Sequence, residues 1–159
     1  MNEDAKKKLL RLIPHALYVL TSRVDGKTTA STVSWVTQAS FKPPLVVVGL
    51  KKDSFTFEVV KQAKGFVLNF LGSDQKDIAQ AFFKHVDPQG GSIGGHTFQE
   101  SPLLKHPYFP RMAGFIECKV VEMVDKGDHT VVVAEVLEAE GGPLEGPLLL
   151  SSTGWHYGG

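Results

Sequence analysis

The chain has 159 residues, 42% apolar and 21% charged, and its 17 Lys+Arg balance 17 Asp+Glu. That length fits a single domain over residues 1–159, and at this size about 70% of the unfolded surface can be buried without staples. The composition excludes a disordered or fibrous chain, and zero net charge argues against a generic nucleic-acid binder, which carries a basic excess.

Residues 2–13 read as a helix. Asn2 can cap it, Glu3 and Asp4 sit in its first turn, and Leu9, Leu10, Leu12 and Ile13 give it apolar surface before Pro14 stops it. Residues 16–24 have strand composition, and Asp25-Gly26 is a two-residue hairpin signal. Residues 27–38 return as a second strand rich in Thr and Val, and Pro43-Pro44 breaks the chain. Residues 45–50 are a continuous apolar run, as expected of a strand buried on both faces. A helix over 54–64 follows, with Asp53 or Ser54 as N-cap and Gly65 at a C-cap position. Residues 66–71 read as a strand, 74–86 as an amphipathic helix, and 87–99 as a Gly-rich loop.

Two long strands, 112–124 and 130–138, flank the tight turn Lys126-Gly127-Asp128-His129. Ile116, Cys118 and Val120 alternate with Glu117 and Lys119, the pattern of a half-exposed strand. A last strand is expected over 148–151, and Gly154-Trp155-His156-Tyr157 reads as a tail. About seven strands and three helices, without regular alternation, favour a mainly β, antiparallel barrel with peripheral helices over a doubly wound parallel sheet. No apolar run approaches a membrane span of about 18 residues, and the polar start lacks a signal-peptide core. A soluble, cytoplasmic protein with no membrane or nucleic-acid partner is the expectation.

The zero net charge hides a gradient. Residues 1–64 carry 11 Lys/Arg against 5 acids, and residues 117–159 carry 2 Lys against 8 acids. Either the two ends pair across the fold or a dimer, or the N-terminal part holds a small anion; charge counting leaves both open.

Three segments carry candidate chemistry. In Lys51-Lys52-Asp53-Ser54-Phe55-Thr56, cations and hydroxyls meet the start of a helix, which suits a phosphate as well as it suits a capped helix with solvated lysines. The Thr- and Ser-rich segment around Trp35 either offers hydrogen bonds to a flat ring or is an ordinary exposed strand. His129, at a tight turn, is either an exposed donor or a turn residue. Gly90-Gly91-Ser92-Ile93-Gly94-Gly95 lacks the Gly-Lys-Ser/Thr ending of a phosphate loop. No His-Glu-x-x-His, Cys pair or Gly-x-Ser-x-Gly is present, so no metal or nucleophilic site is expected, and Cys118 reads as core.

The order and spacing of these segments resemble the flavin reductase-like family. The resemblance rests on residues 16–22, Asp25-Gly26, residues 30–40, Pro43-Pro44 with the apolar run after it, Lys52-x-Ser54-x-Thr56, and Gly127-Asp128-His129-Thr130. It implies an FMN-binding split barrel, usually a homodimer, with the FMN phosphate at Lys52, Ser54 and Thr56. It implies that Thr32, Val33, Ser34 and Trp35 line the flavin ring, that Ser40 lies near it, and that His129 sits where reduced nicotinamide approaches. The activity implied is hydride transfer from NAD(P)H to FMN, with a monooxygenase component or another electron-transfer partner as recipient. A flavoredoxin-like electron carrier or a non-catalytic FMN-binding protein is the alternative. Ala134 stands where relatives commonly carry Gly, so its methyl is expected to tighten the ligand space.

Overall fold

The computed structural model describes residues 1–142 and 146–159. In chain order its elements begin with α1 (Glu3–Arg11), β1 (Tyr18–Val24), β2 (Lys27–Val33), β3 (Val36–Ser40), β4 (Leu45–Lys51), α2 (Phe55–Ala63) and β5 (Gly65–Phe70). There follow α3 (Lys76–Ala81), the short strands β6 (Ser92–Ile93), β7 (His96–Thr97), β8 (Gln99–Glu100) and β9 (Pro107–Tyr108), then β10 (Gly114–Val124), β11 (His129–Gly141) and α4 (Leu150–Thr153).

Seven strands form one antiparallel sheet in the order β2-β1-β5-β10-β11-β4-β3. Its edge strands, β2 and β3, are neighbours in sequence, separated only by Ser34 and Trp35. The three Cα steps from Val33 to Val36 reach about 11 Å at most. A flat seven-stranded sheet is about 29 Å wide. The sheet therefore curls until its edges nearly meet at Ser34-Trp35. Residues 27–38 are thus two strands rather than the single one expected. Past Val33 the chain leaves β1 and takes β4 as partner, with Gly49 N–H donating to the Trp35 carbonyl at 2.9 Å.

Other departures have local causes. Residues 148–151 join no strand: Ala16 and Leu149 form an isolated bridge, and α4 begins at Leu150. Helix α3 stops at Ala81, short of the expected 86, because the Phe82 side chain is drawn fully into the core and its carbonyl accepts the Thr32 N–H. Lys64, not Gly65, takes the left-handed turn that ends α2. Gly65 starts β5 instead, where a Cβ would lie 2.8 Å from His106 Nε2. Strand β4 buries Val46, Val48 and Leu50 and leaves its other face half-buried. The Asp25-Gly26 turn has φ values of 47° and 77°, as a two-residue hairpin requires.

Strand β10 keeps the half-exposed pattern at buried Cys118 and exposed Lys119, but Glu117 departs from it. It is fully buried, and its carboxylate accepts from the Ser101 hydroxyl, Leu103 N–H at 3.0 Å and Leu104 N–H at 2.6 Å. His106 closes the network: its N–H donates to Ser101 Oγ at 3.0 Å and its Nδ1 accepts from Arg23 N–H at 3.2 Å. Glu117→Ala orphans these donors and is expected to destabilise the fold by about 3 kcal/mol, readable by urea unfolding. A loss under about 1 kcal/mol would mean that water replaces the carboxylate. Cys118, the next residue, is buried as expected, and burial pushes its thiol up to about 12.

Burial holds the His106 imidazole below the ordinary histidine value; the Glu117 carboxylate opposes this and the Arg23 guanidinium adds to it. The unfolded chain therefore takes up this proton near pH 6.5, before the folded chain does. The stability that neutral His106 contributes is complete above about pH 6.5 and lost as pH falls below it, at no more than about 1.4 kcal/mol per pH unit. Between about pH 7 and 5 the wild type should lose stability more steeply than His106→Gln. Parallel unfolding profiles would show that the imidazole is not the titrating group.

Candidate functional site

The crossing from β2 to β3 forms one wall of a cleft of about 550 Å³. The end of β4 and the start of α2 form a second wall, and the segment after α4 a third. Thr32, Val33, Ser34, Trp35, Ser54 and Thr56, all expected at the site, line it together. Gly49 makes this possible, because a Cβ there would lie 3.0 Å from the Trp35 ring. The Ser34 and Trp35 carbonyls accept from Val36 and Gly49 N–H, while their own N–H groups take no backbone partner among the described residues.

The polar corner lies where β4 meets α2. Ser54 is the N-cap: its hydroxyl accepts from Phe57 N–H at 3.1 Å and donates to the Lys51 carbonyl at 2.7 Å. Its hydrogen is therefore already used. Thr56 is buried and shares a 2.7 Å hydrogen bond with Thr29. With Thr29 as donor, the Thr56 hydrogen is free to point at a ligand. Lys51 lines the cleft and its ammonium lies 3.2 Å from Asp53. Lys52 does not line it: its ammonium pairs with Asp125, whose carboxyl this contact, first of several, holds below the ordinary range. Ser40 is also apart from the cleft, at the far end of β3 opposite Leu45. Ala134 lies fully buried in the sheet's core with Leu20 and Val132 and does not line the cleft. Its methyl takes up core space, so the expectation that it narrows the ligand space does not hold.

His129 begins β11 opposite Lys51, with its ring centroid 4.5 Å from that of Trp35. Its Nδ1 lies 2.9 Å from the Asp128 carboxylate, and this bond holds the Asp128 carboxyl below its ordinary range. Its Nε2 lies 2.8 Å from the Tyr157 hydroxyl, and burial raises that phenol above its ordinary value. Trp155, His156 and Tyr157, read from sequence as a tail, line the cleft. The signal was three consecutive ring-bearing residues after a glycine, but nothing in their spacing tells where they pack. Among the described residues no group of three His, Cys, Asp or Glu side chains is placed to hold a metal ion, and no helix is long and apolar enough to cross a membrane.

This donor set fits a flavin mononucleotide. One ammonium, one buried hydroxyl and the positive end of α2 suit a phosphate. Unpaired backbone N–H groups beside Val33 and Trp35 suit a flat polar ring against an apolar wall, and the volume lies in the usual range for cofactor clefts.

Comparisons with known proteins agree. The family model described as flavin reductase like domain matches residues 10–158. The reductase component of a 4-nitrophenol 4-monooxygenase/4-nitrocatechol 2-monooxygenase from Rhodococcus opacus is 31% identical over 124 residues, 78% of this chain and 64% of that protein. An NADH-dependent FMN reductase, AsuE2, from Streptomyces nodosus subsp. asukaensis is 27% identical over 153 residues, 87% of this chain and 77% of that one. The chain spans less than half the length of some other curated relatives it matches. The solved structure of the styrene monooxygenase flavin reductase from Pseudomonas putida S12 superposes with a TM-score of 0.77 at 26% identity, over 93% of each chain. With the family model covering nearly the whole chain and the curled sheet and cleft in place, this protein belongs to the flavin reductase-like domain family.

Proposed function

We propose that this chain is an NAD(P)H-dependent flavin reductase built as an FMN-binding split barrel. The observation that carries the reading is the cleft itself, with the Lys51–Thr56 corner at one wall and the Val33–Trp35 wall at another. The near meeting of sheet edges at Ser34-Trp35 supports the split-barrel description. Relatives named as reductase components of monooxygenases and as an NADH-dependent FMN reductase support the activity.

When bound, FMN supplies the two-electron redox chemistry, accepting hydride from reduced nicotinamide. The Lys51 ammonium and the Thr56 hydroxyl hold the phosphate, with Ser54 capping the helix they approach. Lys52, paired with Asp125 outside the cleft, stands apart from this corner. Val33 and Trp35 give the ring an apolar surface, and the Ser34 and Trp35 N–H groups orient its polar edge. His129 is a positioning residue for the dinucleotide, held by Asp128. A monooxygenase component or another electron-transfer partner receives the reduced flavin.

The protein works as a homodimer. Support comes from a second groove of about 290 Å³, lined by Tyr18, Val36, Phe70 and Ile116 among others, and from Phe41, which is 87% exposed at the turn beside it.

An anaerobic titration tests the activity. The protein is loaded with FMN, NADH is added, and the oxidised flavin band is followed. Bleaching much faster than that of free FMN is the expected result. Tight binding without bleaching would make the chain an electron carrier, and no FMN binding would overturn the reading.

A further inference from the structure

The polar edge of His129 is covered by a residue from outside its own sheet. Asp128 is a carboxylate that only accepts, so His129 Nδ1 carries the hydrogen of that 2.9 Å bond. The neutral ring then has its lone pair on Nε2, where the Tyr157 hydroxyl donates at 2.8 Å. The ring centroid of Tyr157 also lies 5.2 Å from that of Trp35, edge-on, beside the His129 ring on the same indole. Both imidazole nitrogens and one edge of the indole are thus occupied from within the chain.

The segment that brings Tyr157 there is pinned on both sides. Before it, Lys76 Nζ donates to the Thr153 carbonyl at 2.7 Å and stands 4.9 Å over the Trp155 ring, which meets Phe83 edge-on. After it, Arg11 Nε donates to the Gly158 carbonyl at 3.3 Å. Gly158 lies so close to the indole that a Cβ would be 2.9 Å from Trp35 Cζ2, and its φ of 89° also favours glycine. Tyr157 itself is 47% exposed, so its side chain can turn outward without opening the core.

We propose that Tyr157 is a gate of this cleft: it occupies His129 Nε2 and packs on Trp35 in the place of the dinucleotide, and gives way when the dinucleotide binds. This rests on the reading of the cleft as a flavin reductase site. The ligand exchanges its own hydrogen bond for that of Tyr157, so the closed population lowers its apparent affinity. Tyr157→Phe keeps the ring and removes only the hydroxyl. Losing one neutral hydrogen bond from the closed state should tighten dinucleotide binding by about three- to tenfold. Gly158→Ala, which pushes the segment off the indole, should act in the same direction.

Two measurements test this. In flavin-free protein, ¹⁵N NMR of the His129 ring should show the Nδ1–H tautomer with Nε2 accepting a hydrogen bond, and Tyr157→Phe should lose the Nε2 signature. An unchanged ring signal would overturn the proposal. In FMN-loaded protein, titration with oxidised NAD should give the tightening above for both variants, read by tryptophan and flavin fluorescence. Equal or weaker binding would make Tyr157 a ligand contact or a bystander and overturn the gate. FMN uptake with no dinucleotide binding in any variant would also overturn it and leave flavin binding standing. Failure to take up FMN would instead overturn the proposed function, while the ring signal would still decide whether Tyr157 holds His129.

Discussion

Lys51→Met combined with Thr56→Val weakens FMN binding by about 100-fold and leaves riboflavin binding within about threefold. Riboflavin lacks the phosphate, so the difference isolates the polar corner of the cleft. Lys51 is half exposed and shares its charge with Asp53, so screening reduces its part to about tenfold. Thr56 is buried and its hydrogen is free when Thr29 donates to it, so its hydroxyl supplies about another tenfold. Two single variants sharpen the assignment. Ser54→Ala should cost about 1 kcal/mol of stability through the lost cap, with little change in the FMN-to-riboflavin ratio. Lys52→Met should change that ratio less than Lys51→Met, because its ammonium is held on Asp125. Equilibrium dialysis with both flavins measures all of this. Equal losses for FMN and riboflavin would mean that the corner only shapes the start of α2.

His129→Ala slows reduction of bound flavin by NADH about 100-fold and changes FMN affinity by no more than about threefold. The imidazole is stacked on Trp35 and tied to Asp128 and Tyr157, but it does not itself line the cleft. Its loss misplaces the dinucleotide and leaves the phosphate corner intact. Anaerobic stopped-flow on FMN-loaded protein gives the rate, and fluorescence gives the affinity. A variant that releases FMN would assign His129 to holding flavin. A variant with an unchanged rate would leave the ring with only a structural part beside Trp35.

The amino-acid sequence alone determined what depends on a few consecutive residues. Asp25-Gly26 set a hairpin because two successive positive φ values suit that pair. Ser54 set the start of α2 because a hydroxyl there meets a free N–H. The apolar run at 45–50 set an internal strand, and Lys51, Ser54 and Thr56 after it line the cleft. What lay beyond such reach was the choice of distant partners. Nothing local distinguishes Lys51 from Lys52; the direction of the chain leaving β4 puts one in the cleft and the other on Asp125. Glu117 reads as a surface residue until the loop at 101–106 folds over it and supplies its donors. The strand over 27–38 divides because the curled sheet leaves β3 a partner on the opposite edge. Residues 155–157 have no periodicity, and only the packing of their neighbours against Lys76, Phe83 and Arg11 carries them to the cleft. Dihedral preference and periodicity act over a turn or a strand, whereas tertiary packing brings together residues more than a hundred positions apart, such as Trp35 and Tyr157.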